Sequence, residues 1–380
     1  MRIGISALVL EKKGAHSLAG VARYTSGIVQ ALLDLECEHT FVLFVGAGFE
    51  PPQAWLDHPR VEIVPVASKL RKVRSLWNTL AAIPLAKRHK LDVWFSTSLA
   101  IPLWSAAPRV LTLHDLYAIT HPEWWNKSDA MVYAQALRFS VPRAEHLLSV
   151  SQFTKDEAVR LFRLPEDRIT VTWQGPGVRI TRAERSPASR GQVADLGVPF
   201  DRYFFSIGTL EPRKNLMGVV RAAAAVGDEL RALKAGVVFA GAKGWKSEGF
   251  LQQIEALGVG DLVHFLGYVP DEALAALFAN AEATVFPSLG EGFGLPALEA
   301  QLYGSILICS DRGAIPEVAG PGAILVDVGD SAAIGSSMLA AMNLPDREER
   351  IAQGLAHAEN FTWSRTAKLT LQALEKAARR

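Results

Sequence analysis

Two cysteines, Cys37 and Cys309, are all that the 380 residues contain. That excludes a disulfide framework and a thiolate-rich zinc site, and it fits a reducing compartment. Neither sign of charge is in excess, since 40 Lys and Arg stand against 39 Asp and Glu, a formal net charge of +1. A nucleic-acid-binding surface extending over the whole chain, or a disordered polyelectrolyte, would need a larger imbalance. No run of about 18 apolar residues occurs, so no segment is expected to span a bilayer. The opening MRIGISALVL lacks the long apolar stretch and small-residue cleavage site of a secretory leader and reads as a buried strand. Low-complexity tracts and internal sequence repeats are also missing. The expectation is a cytoplasmic globular protein, long enough for two domains that each bury a core.

What is present is a regular alternation. Short apolar runs rich in β-formers recur from end to end, separated by longer stretches with helical periodicity. The first half holds Ile3–Val9, Phe41–Val45, Val61–Val66, Leu91–Ser96, Val110–Leu113, His146–Val150 and Ile169–Trp173. The second holds Tyr203–Ile207, Gly236–Ala240, Leu262–Leu266, Ala283–Phe286, Ile306–Cys309 and Ala323–Val326. Continuous apolar runs mark strands covered on both faces, and their alternation with helices predicts parallel, doubly wound sheets. The fold class is therefore α/β, with two Rossmann-like domains rather than one very wide sheet. The expected boundary is Gln174–Phe200, rich in Gly and Pro and without a sustained apolar period. The expected domains are 1–180 and 195–362, followed by a helix over 363–380.

The segment Phe286-Pro-Ser-Leu-Gly-Glu-Gly-Phe-Gly-Leu-Pro-Ala-Leu-Glu-Ala300 carries the strongest chemical signal. It leaves a strand at its carboxyl end, turns through glycines and enters a helix near Pro296. Free N–H groups of the Gly292–Leu295 turn and the positive end of the helix dipole would then face the crevice above a sheet, where an anion binds. Glu291 and Glu299 flank this turn. Eight helical steps would separate their backbones by about 12 Å. Hydrolytic carboxylate pairs lie about 5–9.5 Å apart, so two contacts along one elongated ligand fit better than a glycosidase-like dyad.

Gly-Glu-Gly-Phe-Gly-Leu-Pro-x-x-Glu-Ala resembles the signature of the retaining GT-B glycosyltransferases of family 4, also called group 1. The resemblance extends to Gly208-Thr-Leu-Glu-Pro-Arg-Lys-Asn215, to Gly20-Val-Ala-Arg-Tyr24, to Gly313-Ala-Ile-Pro-Glu317 and to Phe361-Thr-Trp363, in the family's order and over nearly the whole chain. It implies a GT-B fold whose last helix crosses back to the first domain. The first domain would bind the acceptor and the second the nucleotide-sugar, with domain closure bringing Gly20 and His114 onto the donor. Gly20, Gly292, Phe293, Gly294 and Leu295 would form donor-binding backbone. Glu291 would hydrogen-bond the donor sugar, Glu299 the ribose, and Arg213 and Lys214 would grip the diphosphate. Two fixed cations with helix N–H groups can stabilise a leaving diphosphate without a metal, and no Asp-x-Asp motif is present, so no metal is expected.

His114 ends the strand Val110–Leu113 and resembles the family histidine near the transferred sugar. The alternative is a strand-end histidine bonded to a nearby carbonyl. Asp115 would orient it or touch the acceptor. In Ser149-Val-Ser-Gln-Phe-Thr-Lys155, plain N-capping by Ser151 is favoured over a ligand contact.

Between Lys69 and Lys90 lie seven Lys and Arg and no acid. Lys69, Arg71, Lys72 and Arg74 alternate with an apolar stripe of Leu70, Val73, Leu76 and Trp77. A basic amphipathic helix of this kind is attracted to an anionic membrane surface, and the alternative is a solvated face packed on the sheet. Trp124 and Trp125 would extend that surface or line the acceptor side. A peripheral membrane contact suits a lipid-linked saccharide acceptor. The resemblance leans toward bacterial mannosyltransferases using GDP-mannose in polysaccharide assembly. A UDP-hexose donor, a nucleotide-sugar epimerase of the same fold and a catalytically silent binding partner stay open as alternatives.

Overall fold

The computed structural model describes residues 1–10, 20–66, 82–99, 101–102, 105–177, 186–241 and 249–379. The chain divides into two compact units. One comprises Met1–Gly177 together with Phe361–Arg380, and the other Val178–Asn360.

The first unit is built on a seven-stranded parallel sheet in the order β3-β2-β1-β4-β5-β6-β7. Its strands are β1 Arg2–Ala7, β2 Thr40–Gly46, β3 Val61–Val66, β4 Val93–Ser96, β5 Arg109–Leu113, β6 His146–Ser149 and β7 Ile169–Val171. The second unit holds a six-stranded parallel sheet, β10-β9-β8-β11-β12-β13. Here the strands are β8 Arg202–Ile207, β9 Ala235–Ala240, β10 Val263–Gly267, β11 Ala283–Phe286, β12 Leu307–Ser310 and β13 Ile324–Val326. In both sheets the strand order reverses beside the first strand, at β1/β4 and at β8/β11. Open α/β sheets form a ligand crevice at that reversal, outside the carboxyl ends of the strands.

The apolar runs are legible as strands because both faces of each sheet are covered. All six residues of β9 are buried. Its neighbours divide by parity between two cores. Phe204, Val237, Phe239, Val285 and Ile308 pack on one face with Val219, Ile334 and Met338. Phe205, Val238, Phe286, Leu307 and Cys309 pack on the other with Leu274, Phe278 and Tyr303. Each such side chain, fully buried, contributes about 1.5–3 kcal/mol relative to exposure.

Eight helices matter below: α1 Gly20–Leu33, α2 Lys127–Arg143, α3 Gln152–Phe162, α4 Pro187–Asp195, α5 Leu216–Ala225, α6 Asp271–Asn280, α7 Leu295–Leu302 and α8 Trp363–Ala378. α4 lies inside the stretch that reads as an irregular linker. Among its described residues it has one buried apolar side chain, Val193, so its periodicity is faint. What starts it is local chemistry. Ser186 and Ser189 form a reciprocal capping box around Pro187, and Asn280 of α6 donates to Ser189 Oγ at 2.9 Å. The second unit thus includes residues ahead of 195.

α8 packs with the first unit, against α1. Thr362 caps it by accepting from the Arg365 amide at 3.2 Å. Trp363, its first residue, lies in a slot between two glycines. A Cβ on Gly27 would come within 2.3 Å of its ring, and one on Gly175 within 2.4 Å. Its indole N–H donates to the Pro176 carbonyl at 2.8 Å. Among the described residues no helix is long and apolar enough to cross a membrane.

Candidate active site

In the second unit, the loop after β8 and the loop after β11 meet because β8 and β11 are neighbours in the sheet. Two hydrogen bonds fasten the loops together: the Leu289 amide donates to the Arg213 carbonyl at 2.8 Å, and the Arg213 side chain donates from Nη1 to the Gly290 carbonyl at 3.0 Å. Asn215, in the left-handed region at φ 51°, closes the turn and donates to the Pro287 and Val328 carbonyls at 3.3 and 3.1 Å. The carbonyl of Glu291 accepts from the Ala314 amide at 3.0 Å, which ties in the Gly313-Ala-Ile-Pro-Glu317 segment.

This frame brings Arg213, Lys214 and Glu291 into one cluster. Glu291 Oε2 lies 2.5 Å from Arg213 Nη1 and its Oε1 lies 2.7 Å from Lys214 Nζ. The ammonium of Lys214 also sits over the Phe286 ring, 5.6 Å from its centroid. Burial would raise the Glu291 pKa, but the two cations outweigh it and hold the carboxyl at about 2. A second acid, Glu211, accepts from Arg213 Nη2 at 2.9 Å. Its burial pushes its pKa above the ordinary glutamate value, with Arg213 and Lys214 pulling down and the Glu291 charge pushing further up. Glu211 stands within the quoted Gly208–Asn215 segment, yet nothing in its spacing marks it as a site residue.

The glycine turn Gly292-Phe293-Gly294 is buried. Gly294 adopts φ 105°, where a side chain is strained, and from there the chain enters α7 at Leu295, with Pro296 in its first turn. Glu299 is on α7 and only 2% exposed. Arg213 and Lys214, the cations expected to grip a diphosphate, are thus both engaged by Glu291, the residue expected to bind a sugar.

In the first unit, Gly20 opens α1 and is exposed. His114 and Asp115 follow β5. The half-buried His114 ring donates from Nε2 to the Thr97 carbonyl at 2.8 Å, since a carbonyl can only accept. Burial lowers its pKa, against the Thr97 carbonyl and the Asp115 charge that raise it. The neutral ring therefore carries its free lone pair on Nδ1. The carbonyl bond foreseen as the alternative is present, and it fixes the tautomer instead of consuming the side chain. Thr97 is itself held at the β1/β4 reversal, donating to the Ser6 carbonyl at 2.9 Å and accepting from Thr25 at 2.9 Å. Tyr24 of α1 meets His114 edge to face, with ring centroids 4.8 Å apart, and its ring also lies 5.9 Å from that of Trp363. Its hydroxyl pairs with Thr112 at 3.1 Å. Asp115 accepts from the Tyr117 amide at 3.2 Å.

Ser151 is a helix cap: its hydroxyl accepts from the Thr154 amide at 3.1 Å at the start of α3. Lys69, Arg71, Lys72, Arg74 and Trp77 lie outside the described residues. An exposed apolar group does occur on α2, where Met131 is 59% and Val132 49% exposed beside Tyr133, whose ring lies 5.1 Å from Trp125.

Family comparisons cover both units. Residues 197–356 match the model of glycosyl transferases group 1, and residues 18–175 that of glycosyltransferase family 4. The O-antigen chain mannosyltransferase B of Escherichia coli is 35% identical over 266 residues, 70% of this chain and 69% of the relative. A D-inositol 3-phosphate glycosyltransferase of Streptomyces scabiei is 30% identical over 247 residues, 62% of this chain and 55% of that one. Among solved structures, Anabaena HepE in complex with UDP and glucose superposes with a TM-score of 0.71 at 17% identity, covering 99% of this chain and all of that one. WaaG, a glycosyltransferase involved in lipopolysaccharide biosynthesis, gives 0.72 at 16% identity, covering 98% and 99%. At those identities the structures establish the shared two-domain α/β fold of GT-B glycosyltransferases.

Proposed function

Because the chain belongs to the group 1 glycosyl transferases, we propose that it transfers a hexose from a nucleotide diphosphate to a hydroxyl of a glycan or lipid-linked saccharide. Our reading of the donor is GDP-mannose, and of the setting, bacterial polysaccharide assembly. Transfer proceeds with retention at the anomeric carbon and without a metal cofactor. The observation that carries this reading is the pair Arg213 and Lys214, held beside Glu291 at the strand reversal of the second sheet. The 35% identity to an O-antigen mannosyltransferase supports mannose over other hexoses.

The chemistry follows from charge. As the bond between the sugar and the diphosphate breaks, negative charge grows on the departing oxygen. Arg213 and Lys214, fixed on a braced loop, stabilise it at little reorganisation cost. A donor diphosphate displaces the Glu291 carboxylate from these cations and leaves it to bind sugar hydroxyls. Glu299 on α7 takes the ribose, and the Gly292–Leu295 turn supplies backbone. The acceptor oxygen attacks the face from which the diphosphate leaves and passes its proton to the departing phosphate oxygen, so configuration is kept. To the first unit we assign the acceptor, with His114 at the end of β5, Gly20 at the start of α1, and Asp115 orienting His114. We assign the basic sequence Lys69–Trp77 and the exposed α2 group to contact with an anionic membrane bearing the acceptor.

Calorimetric titration with GDP, UDP and ADP, with and without Mg²⁺, tests the donor site. GDP should bind without metal, and Glu299→Ala should weaken it more than Glu291→Ala does. UDP selectivity would replace mannose with a UDP-hexose. Release of an epimerised nucleotide-sugar without acceptor would move the assignment to an epimerase. Binding of none of the three nucleotides would leave a silent scaffold.

A further inference from the structure

The charges of the Arg213 cluster balance only while no donor is bound. Two cations, Arg213 and Lys214, face two carboxylates, Glu211 and Glu291. All four side chains are largely shielded, with 4% of Glu211, 10% of Glu291, 17% of Arg213 and 14% of Lys214 exposed. In such surroundings charges are screened far less than in water. A nucleotide-sugar brings two more negative charges on its diphosphate. Without compensation, two cations would then face four anions.

We propose that Glu211 is a positioning residue that takes up one proton from solvent as the nucleotide-sugar binds, coupling donor affinity to pH. The proposal rests on the donor-site reading above. Of the two acids, Glu291 contacts both cations, whereas among the described residues Glu211 contacts only Arg213 and faces the Glu291 charge. Among the described residues, the charged groups acting on Glu211 are Arg213 and Lys214 from its own loop and Glu291 from the loop after β11. Burial already favours its neutral form. Once protonated, Glu211 retains an oxygen that accepts from Arg213, so the guanidinium keeps its aim while its Nη1 edge passes to the diphosphate. Removal of one negative charge leaves Glu291 ionised for the sugar hydroxyls.

The test is calorimetric binding of GDP-mannose and UDP-glucose from pH 5 to 8, in pairs of buffers that differ in ionisation enthalpy. These donors carry diphosphate diesters, so no phosphate of theirs titrates in that range. The wild-type protein should take up close to one proton per donor at the upper end of the range. Its affinity should weaken by up to about tenfold per pH unit there, the limit for one linked proton. Glu211→Gln, which can still hold Arg213, should bind with no proton uptake and a flat pH profile. Glu211→Ala should also lose the uptake but bind more weakly at every pH. Glu291→Gln removes one of the facing charges beforehand and should lower the uptake. Wild-type binding without proton uptake, or equal uptake in wild type and Glu211→Gln, overturns the role of Glu211 and leaves the donor site standing. No binding of either donor by wild type overturns both.

Discussion

Gly27 lies in the middle of α1, where helix propensity alone says that alanine should add about 1 kcal/mol. The structure says the opposite. A Cβ there would lie 2.3, 2.5 and 2.7 Å from three atoms of the Trp363 ring. Ordinary carbon contacts begin near 3.5 Å, so the ring must retreat by about 1 Å. It has nowhere to go, because Gly175 meets its far side and the Pro176 carbonyl holds its N–H at 2.8 Å. Overpacking of this kind costs about 1–3 kcal/mol, and loss of the indole hydrogen bond about 1 more. After the propensity gain, Gly27→Ala should destabilise the first unit by about 1–3 kcal/mol. Urea unfolding followed by far-UV circular dichroism would measure it, with Trp363→Leu as the second arm of a cycle. In the Trp363→Leu background the sign should reverse, and Gly27→Ala should stabilise by up to about 1 kcal/mol. A wild-type background in which Gly27→Ala raises the midpoint, or an equal cost in both backgrounds, would refute the reasoning.

Two further outcomes follow from side chains already placed. Glu291 has a folded pKa of about 2 against an ordinary 4.5, so the stability it contributes is present above the ordinary value and is lost as pH falls toward 2. That contribution is on the order of 3 kcal/mol at neutral pH, of which about 1 is gone by pH 3.5. Between pH 7 and 3.5 the second unit of the wild-type protein should therefore lose about 1 kcal/mol more in urea unfolding than that of Glu291→Gln, and parallel losses would contradict the ion-pair account. Ser151→Ala should cost about 1 kcal/mol and speed hydrogen exchange at the Thr154 amide, and unchanged exchange there would mean the cap is not engaged.

The strands were the most legible part of the sequence. Every apolar run became a strand, with ends shifted by two residues at most, because a strand covered on both faces leaves no polar interruption. α4 was hidden for the converse reason, since two serines and a proline start it and, among its described residues, Val193 is the one buried apolar side chain. At the site, residue types were readable but their pairing was not. Glu291 reaches Lys214 across 77 residues and Arg213 across 78, a closure made by the β8–β11 pairing and invisible to local spacing. Glu211 went unnoticed because an acid before Pro-Arg-Lys looks like a solvated neighbour until its burial is known. The Trp363 slot is written as two absences, Gly27 and Gly175, which acquire meaning only against the ring that fills them.

The division of the chain has a consequence for its synthesis. Val178–Asn360 is continuous, so the second unit can fold as soon as it clears the ribosome. The first unit cannot be completed at that point, because α8 is translated only after Val178–Asn360. At about 5–20 residues per second that delay is about 10–40 s. Throughout it, the slot between Gly27 and Gly175 and the Tyr24 ring beside it have no indole against them. Seating of Trp363 between Gly27 and Gly175 is therefore a late step in the assembly of the first unit.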